Sequence, residues 1–239
     1  MVGIIYSTIA GISTVAGAIL VIAFGKPRGK TLALLLGFAG GIMLAISIFE
    51  LIWEALTLSG KLNSFAGFAL GIAVMLLLTL IISKTQAEKR LGDNQLLKVG
   101  YLVLIGVALH NFPEGLAIGA GLEASTKLGA LIAISIGIHN IPEGMATAGP
   151  LMAGGLSIPK IIMLTLLAGL MAPLGTIMSM LIFKISTQFI GSGLAFAAGA
   201  MLYIVCTELI PEAKKISVLY TSIGLSSGIL IGVLLFSSF

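Results

Sequence analysis

The chain has 239 residues, of which 58% are hydrophobic and only 9% are charged, and its mean hydropathy is +1.18. A soluble domain carries roughly 25% charged residues, so this composition excludes a water-soluble domain and indicates an integral membrane protein. The formal charge of +4 does not indicate nucleic-acid binding, because the basic residues lie between the apolar runs. The single cysteine excludes an intrachain disulfide and a thiolate zinc cluster.

Eight apolar segments follow one another along the chain, and each is near or above the ~20 residues that a membrane-spanning helix needs. Because they are continuous and do not alternate with polar residues, they predict helices rather than the strands of a barrel. We therefore predict an all-α integral membrane protein with eight transmembrane helices, which form a single transporter domain over residues 1–239. The predicted segments are 3–25, 31–57, 62–83, 97–121, 126–151, 159–183, 189–211 and 216–237.

The lysines and arginines predict the orientation of these helices. Ten of them lie in the loops after the first, third, fifth and seventh segments, and three lie in the other loops. Because basic residues concentrate on the cytoplasmic side, we expect both termini to be extracytoplasmic and the polar stretch 83–98 to be cytoplasmic. The compact chain without long loops favours the cytoplasmic (inner) membrane of a prokaryote. The oligomeric state is left open, with a homodimer as one option.

An internal repeat relates the two ends of the chain. The stretches FAGGIMLAISIFELIWEA at 38–55 and FAAGAMLYIVCTELIPEA at 196–213 match at 11 of 18 positions without a gap. They fall on the second and seventh segments, which run in opposite directions in the predicted orientation. Such inverted repeats are typical of secondary transporters, so we predict three helices, a central pair and three helices. Trp53 replaces the proline that the second copy has as Pro211, which predicts that the two helices bend differently.

The only two histidines lie in near-identical motifs, LHNFPEG and IHNIPEG, on the fourth and fifth segments. Residues i and i+4 share a helix face, so His110 and Glu114 point the same way, as do His139 and Glu143. An ionisable group within a bilayer costs at least ~2.5–3.5 kcal/mol on insertion scales. Four such groups together therefore indicate a bound divalent cation. Imidazole and carboxylate ligands favour zinc, iron(II), manganese or cobalt over magnesium and calcium.

Other residues of these segments are candidates for secondary roles. Asn111 and Asn140 lie about 100° round the helix from the histidines and can serve a neighbouring metal position. Glu50 and Glu208 lie about one turn deeper than the glutamates at the helix ends, and we interpret them as stations along a metal pathway. An alternative interpretation of the motifs is that each His–Glu pair is a hydrogen bond that only holds two helices together.

The two motifs resemble the signatures on the fourth and fifth helices of the ZIP (Zrt/Irt-like protein) metal transporters, especially the compact prokaryotic GufA/ZupT-like branch. FELIWEA and TELIPEA on the second and seventh segments extend the likeness to nearly the whole chain. The resemblance implies uptake of divalent transition metals toward the cytosol, with the metal as substrate, no catalytic cofactor and no enzymatic activity. Zinc is the first candidate, followed by iron, manganese, cobalt and cadmium. The metal ligands that the resemblance implies are His110, Asn111, Glu114, His139, Asn140, Glu143 and the candidate thioether of Met43.

Two departures from this branch concern the second metal position. Ala172 stands before Pro173, where the branch often has an acidic residue, and Asn140 stands where some members have aspartate. Both changes remove a negative charge, so we predict one well-formed metal site beside a weak or absent second one. The stretch 83–98 also has no histidine, which argues against a metal sensor in that loop.

Three other functions remain open from the residues themselves. A metal exporter would use the same ligands, because ligands do not determine the direction of transport. A proton-coupled carrier of organic solutes should have an aromatic-lined pocket, but the two motifs contribute only Phe112. An intramembrane metalloenzyme typically carries HExxH, and the chain has no such sequence.

Overall fold

The computed structural model describes residues 2–84, 94–181 and 186–236, and nearly all of them are helical. These residues contain no β-strand, so the all-α prediction is confirmed for them. Part of the predicted cytoplasmic stretch 83–98 lies outside the described residues. The helices are α1 (Val2–Phe24), α2 (Gly29–Ala45), α3 (Ile52–Lys84), α4 (Gln95–Ala124), α5 (Thr126–Ala153), α6 (Ile158–Gly169), α7 (Met171–Leu181), α8 (Thr187–Ile204), α9 (Ile210–Ile216) and α10 (Val218–Phe236).

Seven helical stretches within the described ranges are long and apolar enough to cross a membrane. The longest of them covers 53 residues, Gly29–Ile81, and contains the second and third predicted segments. It is interrupted at Gly60, where φ is 72° and ψ is 171°. This backbone conformation is essentially restricted to glycine. The break falls between the predicted segments 31–57 and 62–83.

The chain reverses direction at this break. A Cβ atom on Gly40 would lie 3.4 Å from Cγ1 of Val205, and Met75 and Ile204 both lie next to Gly106. Residues 40 and 75 therefore approach adjacent residues of one helix, although a straight helix would hold them about 52 Å apart. The parts of the chain before and after the break must fold back on each other.

The helices pack in two groups that follow the internal repeat. In the first, α1 packs on α5, α7 packs on α4, and α4 and α5 pack together at the centre. In the second, α2 packs on α10 and α3 packs on α8. We refer to α1, α4, α5, α6 and α7 as the motif group, because α4 and α5 carry the histidine motifs. The remaining helices, α2, α3, α8, α9 and α10, form the flanking group.

Glycines set the closest helix contacts in the motif group, at equivalent places in its two halves. Gly144 of α5 lies against the carbonyl oxygen of Thr14 in α1, and Gly115 of α4 lies against the carbonyl oxygen of Ala172 in α7. Any larger side chain would overlap these oxygens, which is why small residues mark close helix pairs in membranes. Thr14 and Ala172 are 158 positions apart, the same offset that relates 38–55 to 196–213. The repeat therefore extends to α1 and α7.

Two π-helical segments, Ile46–Leu51 and Val205–Leu209, lie at matching positions of the repeat. The backbone N–H that follows each segment donates to the carbonyl five residues before it, which is the π pattern. From Trp53 and Pro211 we predicted that the two helices differ, but this π-helical distortion is present in both copies. The copy without a proline widens at the same place as the copy with one, so proline is not its cause.

The break at Gly60 within α3 gives a stability prediction. Gly60→Ala should lower the free energy of unfolding by about 1–3 kcal/mol, because alanine is strained at this backbone conformation. Thermal unfolding in detergent, followed by circular dichroism, measures the change. Gly137→Ala is the control, since a Cβ atom there would lie 3.5 Å from its nearest neighbour. Equal unfolding temperatures for the two variants would contradict the assignment of a glycine-only turn.

Candidate metal site

The polar side chains of the two motifs are buried, whereas many large apolar side chains lie on the surface. Large apolar side chains such as Phe24, Trp53 and Leu62 are 70–88% exposed. Each polar side chain of the two motifs is at most 1% exposed. This arrangement suits a protein surrounded by lipid, which places the polar groups away from the hydrocarbon. The buried motif residues are His110, Asn111, Glu114, His139, Asn140 and Glu143.

The two motifs bond to each other crosswise between α4 and α5. Nε2 of His110 lies 2.8 Å from Oε2 of Glu143, and Nε2 of His139 lies 3.0 Å from Oε1 of Glu114. Nδ1 of His110 lies 3.1 Å from the carbonyl oxygen of Gly106, one turn earlier on α4. A contact of this kind orients an imidazole and supports its role as a metal ligand. Each histidine thus meets the glutamate of the other motif.

Three of these side chains lie close enough together to bind one ion. His110, Glu114 and Glu143 each offer a ligand atom, and the three atoms lie within 4.8 Å of one another. Zinc binds nitrogen and oxygen ligands at about 2.0–2.2 Å, so ligand atoms around a tetrahedral ion are about 3.4 Å apart. Only a small inward movement of the three side chains separates the described arrangement from coordination.

The carboxylates of this cluster lack part of their bonding. Oε2 of Glu114 and Oε1 of Glu143 are buried and have no hydrogen-bond partner among the described residues, although the second oxygen of each group contacts a histidine. A buried carboxylate oxygen without a partner is costly. A cation between the two carboxylates would satisfy both oxygens, whereas the histidine bonds alone leave them unpaired. The alternative in which the pairs only hold the helices together does not account for these atoms.

Glu50 reaches the site from the flanking group. Its Oε2 lies 3.5 Å from Nδ1 of His139, and its Oε1 accepts a 3.1 Å hydrogen bond from Oγ of Ser135. His139 therefore lies between Glu50 and Glu114. Ser135 was not predicted as a site residue, although its place four residues before His139 puts both side chains on one face of α5.

The two asparagines bind the outer helices of the motif group through their amide nitrogens. Nδ2 of Asn140 donates to the carbonyl oxygen of Ala10 at 2.8 Å, and Nδ2 of Asn111 donates to that of Ala168 at 3.0 Å. Ala10 and Ala168 are also 158 positions apart, so the two bonds are equivalent in the repeat. Within the described parts of the chain, Oδ1 of each asparagine is buried without a hydrogen-bond partner. Their role at a neighbouring metal position stays a prediction.

Ala172 is fully buried on α7, where a carboxylate would otherwise stand before Pro173. Its counterpart in the repeat is Thr14 of α1, whose Oγ1 is buried without a hydrogen-bond partner. The two halves thus offer an alanine and a hydroxyl at equivalent places, and neither offers a charge. This composition agrees with the prediction of a second position that is weak or absent, which itself stays untested.

A cavity of about 540 Å³ leads to one side of the cluster. Its lining extends from the exposed Glu54 and Leu128 to the buried Glu114 and His139, with Glu50 between them. His110 and Glu143 are not part of the lining. The cavity therefore connects the surface with Glu114 and His139, whereas His110 and Glu143 are fully buried beyond its lining.

Two other candidates lie on the second and seventh predicted segments. Glu208 belongs to the second π-helical segment, and its charged neighbours are Lys98, Glu212 and Lys215. Met43 is fully buried in α2 within the main apolar core. The pathway role of Glu208 and the ligand role of Met43 both stay predictions.

Comparison with known proteins decides the family. The family described as ZIP Zinc transporter matches residues 83–239. The zinc transporter ZupT of Enterobacter sp. (strain 638) is 34% identical over 225 residues, which cover 90% of this chain and 88% of that protein. The chain belongs to the ZIP family. The family confirms the resemblance drawn from the motifs, and it identifies this chain as a membrane transporter rather than an enzyme.

Two further relatives of this ZIP protein are also named zinc transporters. The zinc transporter ZupT of Escherichia fergusonii is 33% identical over 225 residues, covering 90% of this chain and 88% of that protein. The zinc transporter ZTP29 of Arabidopsis thaliana is 34% identical over 228 residues, covering 87% of this chain and 83% of that protein. The likeness thus extends along nearly the whole chain and includes both motif helices.

The asparagine bonds predict a specific loss of stability in this ZIP protein. Asn140→Ala should lower the free energy of unfolding by about 1–3 kcal/mol, because it removes the donor to a buried carbonyl. Chemical unfolding in detergent measures the loss. Asn63→Ala is the matched control, since Nδ2 of Asn63 makes a similar 3.1 Å bond to the carbonyl oxygen of Ser59 at an exposed position. A loss no larger than that of the control would show that the buried bond is not structural.

Proposed function

We propose that this ZIP protein carries divalent transition-metal ions, with zinc as the first candidate, across the membrane into the cytosol. The observation that supports this proposal best is a pair of buried carboxylate oxygens, Oε2 of Glu114 and Oε1 of Glu143. They lie in the same cluster as His110 and have no hydrogen-bond partner among the described residues. Family membership supports transport, and the relatives described above are named zinc transporters. Iron, manganese, cobalt and cadmium are further candidate substrates, since nitrogen and oxygen ligands bind several of these ions.

The proposed ligands of the transported ion are the two imidazoles and the two carboxylates at the crossing of α4 and α5. Glu114 and Glu143 would share the ion, while His110 and His139 would release their hydrogen bonds to those carboxylates and bind through nitrogen. Four such ligands complete the tetrahedral arrangement that zinc prefers. The metal is the substrate in this proposal, and no catalytic cofactor is involved.

The proposed architecture has eight membrane crossings in a single domain over residues 1–239, with both termini on the extracytoplasmic side. The reversal of the chain at Gly60 supports two crossings within the longest helical stretch. The ten basic residues in alternate loops support the orientation. The bacterial relatives support a prokaryotic cytoplasmic membrane as the location.

In this orientation the cavity faces the extracytoplasmic side. Glu54 and Glu50 would attract the hydrated ion, Glu114 and His139 would accept it at the inner end, and Glu208 would receive it on the way to the cytosol. Access would then alternate by movement of the motif group against the flanking group. The packing of α1 on α5 and of α7 on α4 supports a motif group that moves as one body.

Substitution of the proposed ligands tests the function directly. His110→Ala and Glu143→Ala should each reduce zinc uptake into proteoliposomes at least about 100-fold, because each removes a ligand that binds the ion at the centre of the membrane. Uptake is measured with a zinc-sensitive dye in the vesicle lumen, and competing metals in the same assay rank the substrates.

Glu123→Gln provides the control for this experiment, because it removes a carboxylate from an exposed position on the same helix. It should leave uptake near that of the unaltered protein. Zinc binding by the purified variants separates loss of the site from loss of movement. Normal uptake by both ligand variants would overturn the assignment of the site.

Labelling of single cysteines tests the eight crossings and their orientation. The chain has one cysteine, Cys206, so Cys206→Ser gives a background without cysteine. In this background, Lys127→Cys should react with a membrane-impermeant maleimide added outside intact cells, whereas Lys160→Cys should react only after the membrane is opened. The opposite result for either position would contradict the proposed orientation.

A further inference from the structure

A second opening lies between α1 and α2, at the end of the molecule that carries the connecting loop 25–28. These helices are consecutive in the chain, yet α1 packs on α5 and α2 packs on α10. They therefore diverge and leave a groove of about 530 Å³. We refer to it as the loop groove. Its walls include Phe24, Leu34, Phe38 and Met145.

The mouth of the loop groove carries a positive charge that no described acidic residue offsets. Lys26 and Arg28 line the groove and are exposed. Neither makes an ion pair with any residue in the described parts of the chain, and no acidic residue lines the groove. Lys30 adds a third cation at this end, 5.2 Å from the ring centroid of Tyr220 on α10. The groove therefore combines two unpaired cations with an apolar wall.

The length of the loop groove matches one leaflet of a bilayer. It extends along α2 from the residues before Gly29 to Phe38 and reaches Ser227 of α10. Nine residues of helix span about 13.5 Å, and half of the hydrocarbon core of a bilayer is about 15 Å. The groove is therefore long enough to hold an acyl chain from the level of Lys26 and Arg28 through most of one leaflet.

We propose that the loop groove binds one anionic phospholipid of the surrounding membrane. The phosphate group contacts Lys26 and Arg28, and one acyl chain lies against Leu34 and Phe38. Basic pockets between transmembrane helices on the cytoplasmic side bind anionic lipid headgroups, which is the side that the basic loops indicate. A zwitterionic lipid would fit the apolar wall equally well, but its ammonium group offsets its phosphate, so it would bring no net negative charge to the two cations.

The walls of the loop groove belong to both helix groups. Phe24 and Met145 come from the motif group, whereas Leu34 and Phe38 come from the flanking group. Met145 is also only two residues after Glu143 of the metal site. A bound lipid therefore touches both groups, and any effect on transport rests on the proposed function. Binding of the lipid itself does not depend on that function and is the quantity to measure.

Native mass spectrometry of the purified, metal-free protein tests the proposal, with phosphatidylglycerol and phosphatidylcholine of the same chain length added together. The unaltered protein should retain phosphatidylglycerol over phosphatidylcholine by roughly tenfold or more, as expected for two cations near the lipid phosphate. The double variant Lys26→Gln/Arg28→Gln should lose most of this preference. The control Lys160→Gln/Lys214→Gln removes two exposed cations predicted to be on the same side and should keep it.

A second pair of variants tests the apolar part of the groove without a change of charge. Thr31 lines the groove and is exposed, so Thr31→Trp should fill it and reduce phosphatidylglycerol retention several-fold. Thr57→Trp, at an exposed position outside the groove, should have no such effect. Unchanged retention in Lys26→Gln/Arg28→Gln, or in Thr31→Trp, would overturn the assignment of this groove to an anionic lipid.

Discussion

A carboxylate in the interior of a membrane needs a partner for each oxygen, and the described residues supply only half of the partners that Glu114 and Glu143 need. One oxygen of each contacts a histidine of the opposite motif, and the other is buried without a partner among the described residues. The hydrocarbon around the helices offers no hydrogen bonds to polar groups. In the proposed function, a divalent cation would offset both carboxylates at once and would stabilise the helices that present them.

The internal repeat explains how two helices can present such a site from both sides. The amide bonds to Ala10 and Ala168 and the glycine contacts at Thr14 and Ala172 all obey the same offset of 158 residues. Each half of the molecule therefore clamps its own outer helix to its own motif helix. The crosswise histidine bonds then join the halves. The two halves differ in residue type at the equivalent positions Thr14 and Ala172. These positions concern the second metal site that the asparagines were predicted to serve.

The sequence was sufficient for most of the helices and for the cluster at the centre, because hydrophobic length and a repeated motif are both local signals. The break at Gly60 lies in the gap between the predicted segments 31–57 and 62–83, because the length of each apolar run predicts where a helix ends. The crosswise pairing was not accessible, since spacing places His110 and Glu114 on one face but does not show how α4 and α5 are rotated about their axes. That rotation depends on glycine contacts between distant parts of the chain. The bonds of the asparagine amides to α1 and α6 and the contact of Ser135 with Glu50 depend on the same rotation.

The contact between Glu50 and His139 has a mechanical consequence. Glu50 is anchored in the flanking group, whereas His139 and Ser135 travel with α5. In the proposed transport mechanism, the motif group could not move against the flanking group without separating these side chains. An ion that drew His139 toward Glu114 and Glu143 would weaken its contact with Glu50. Binding of the ion would then also lower the barrier to the movement that carries it.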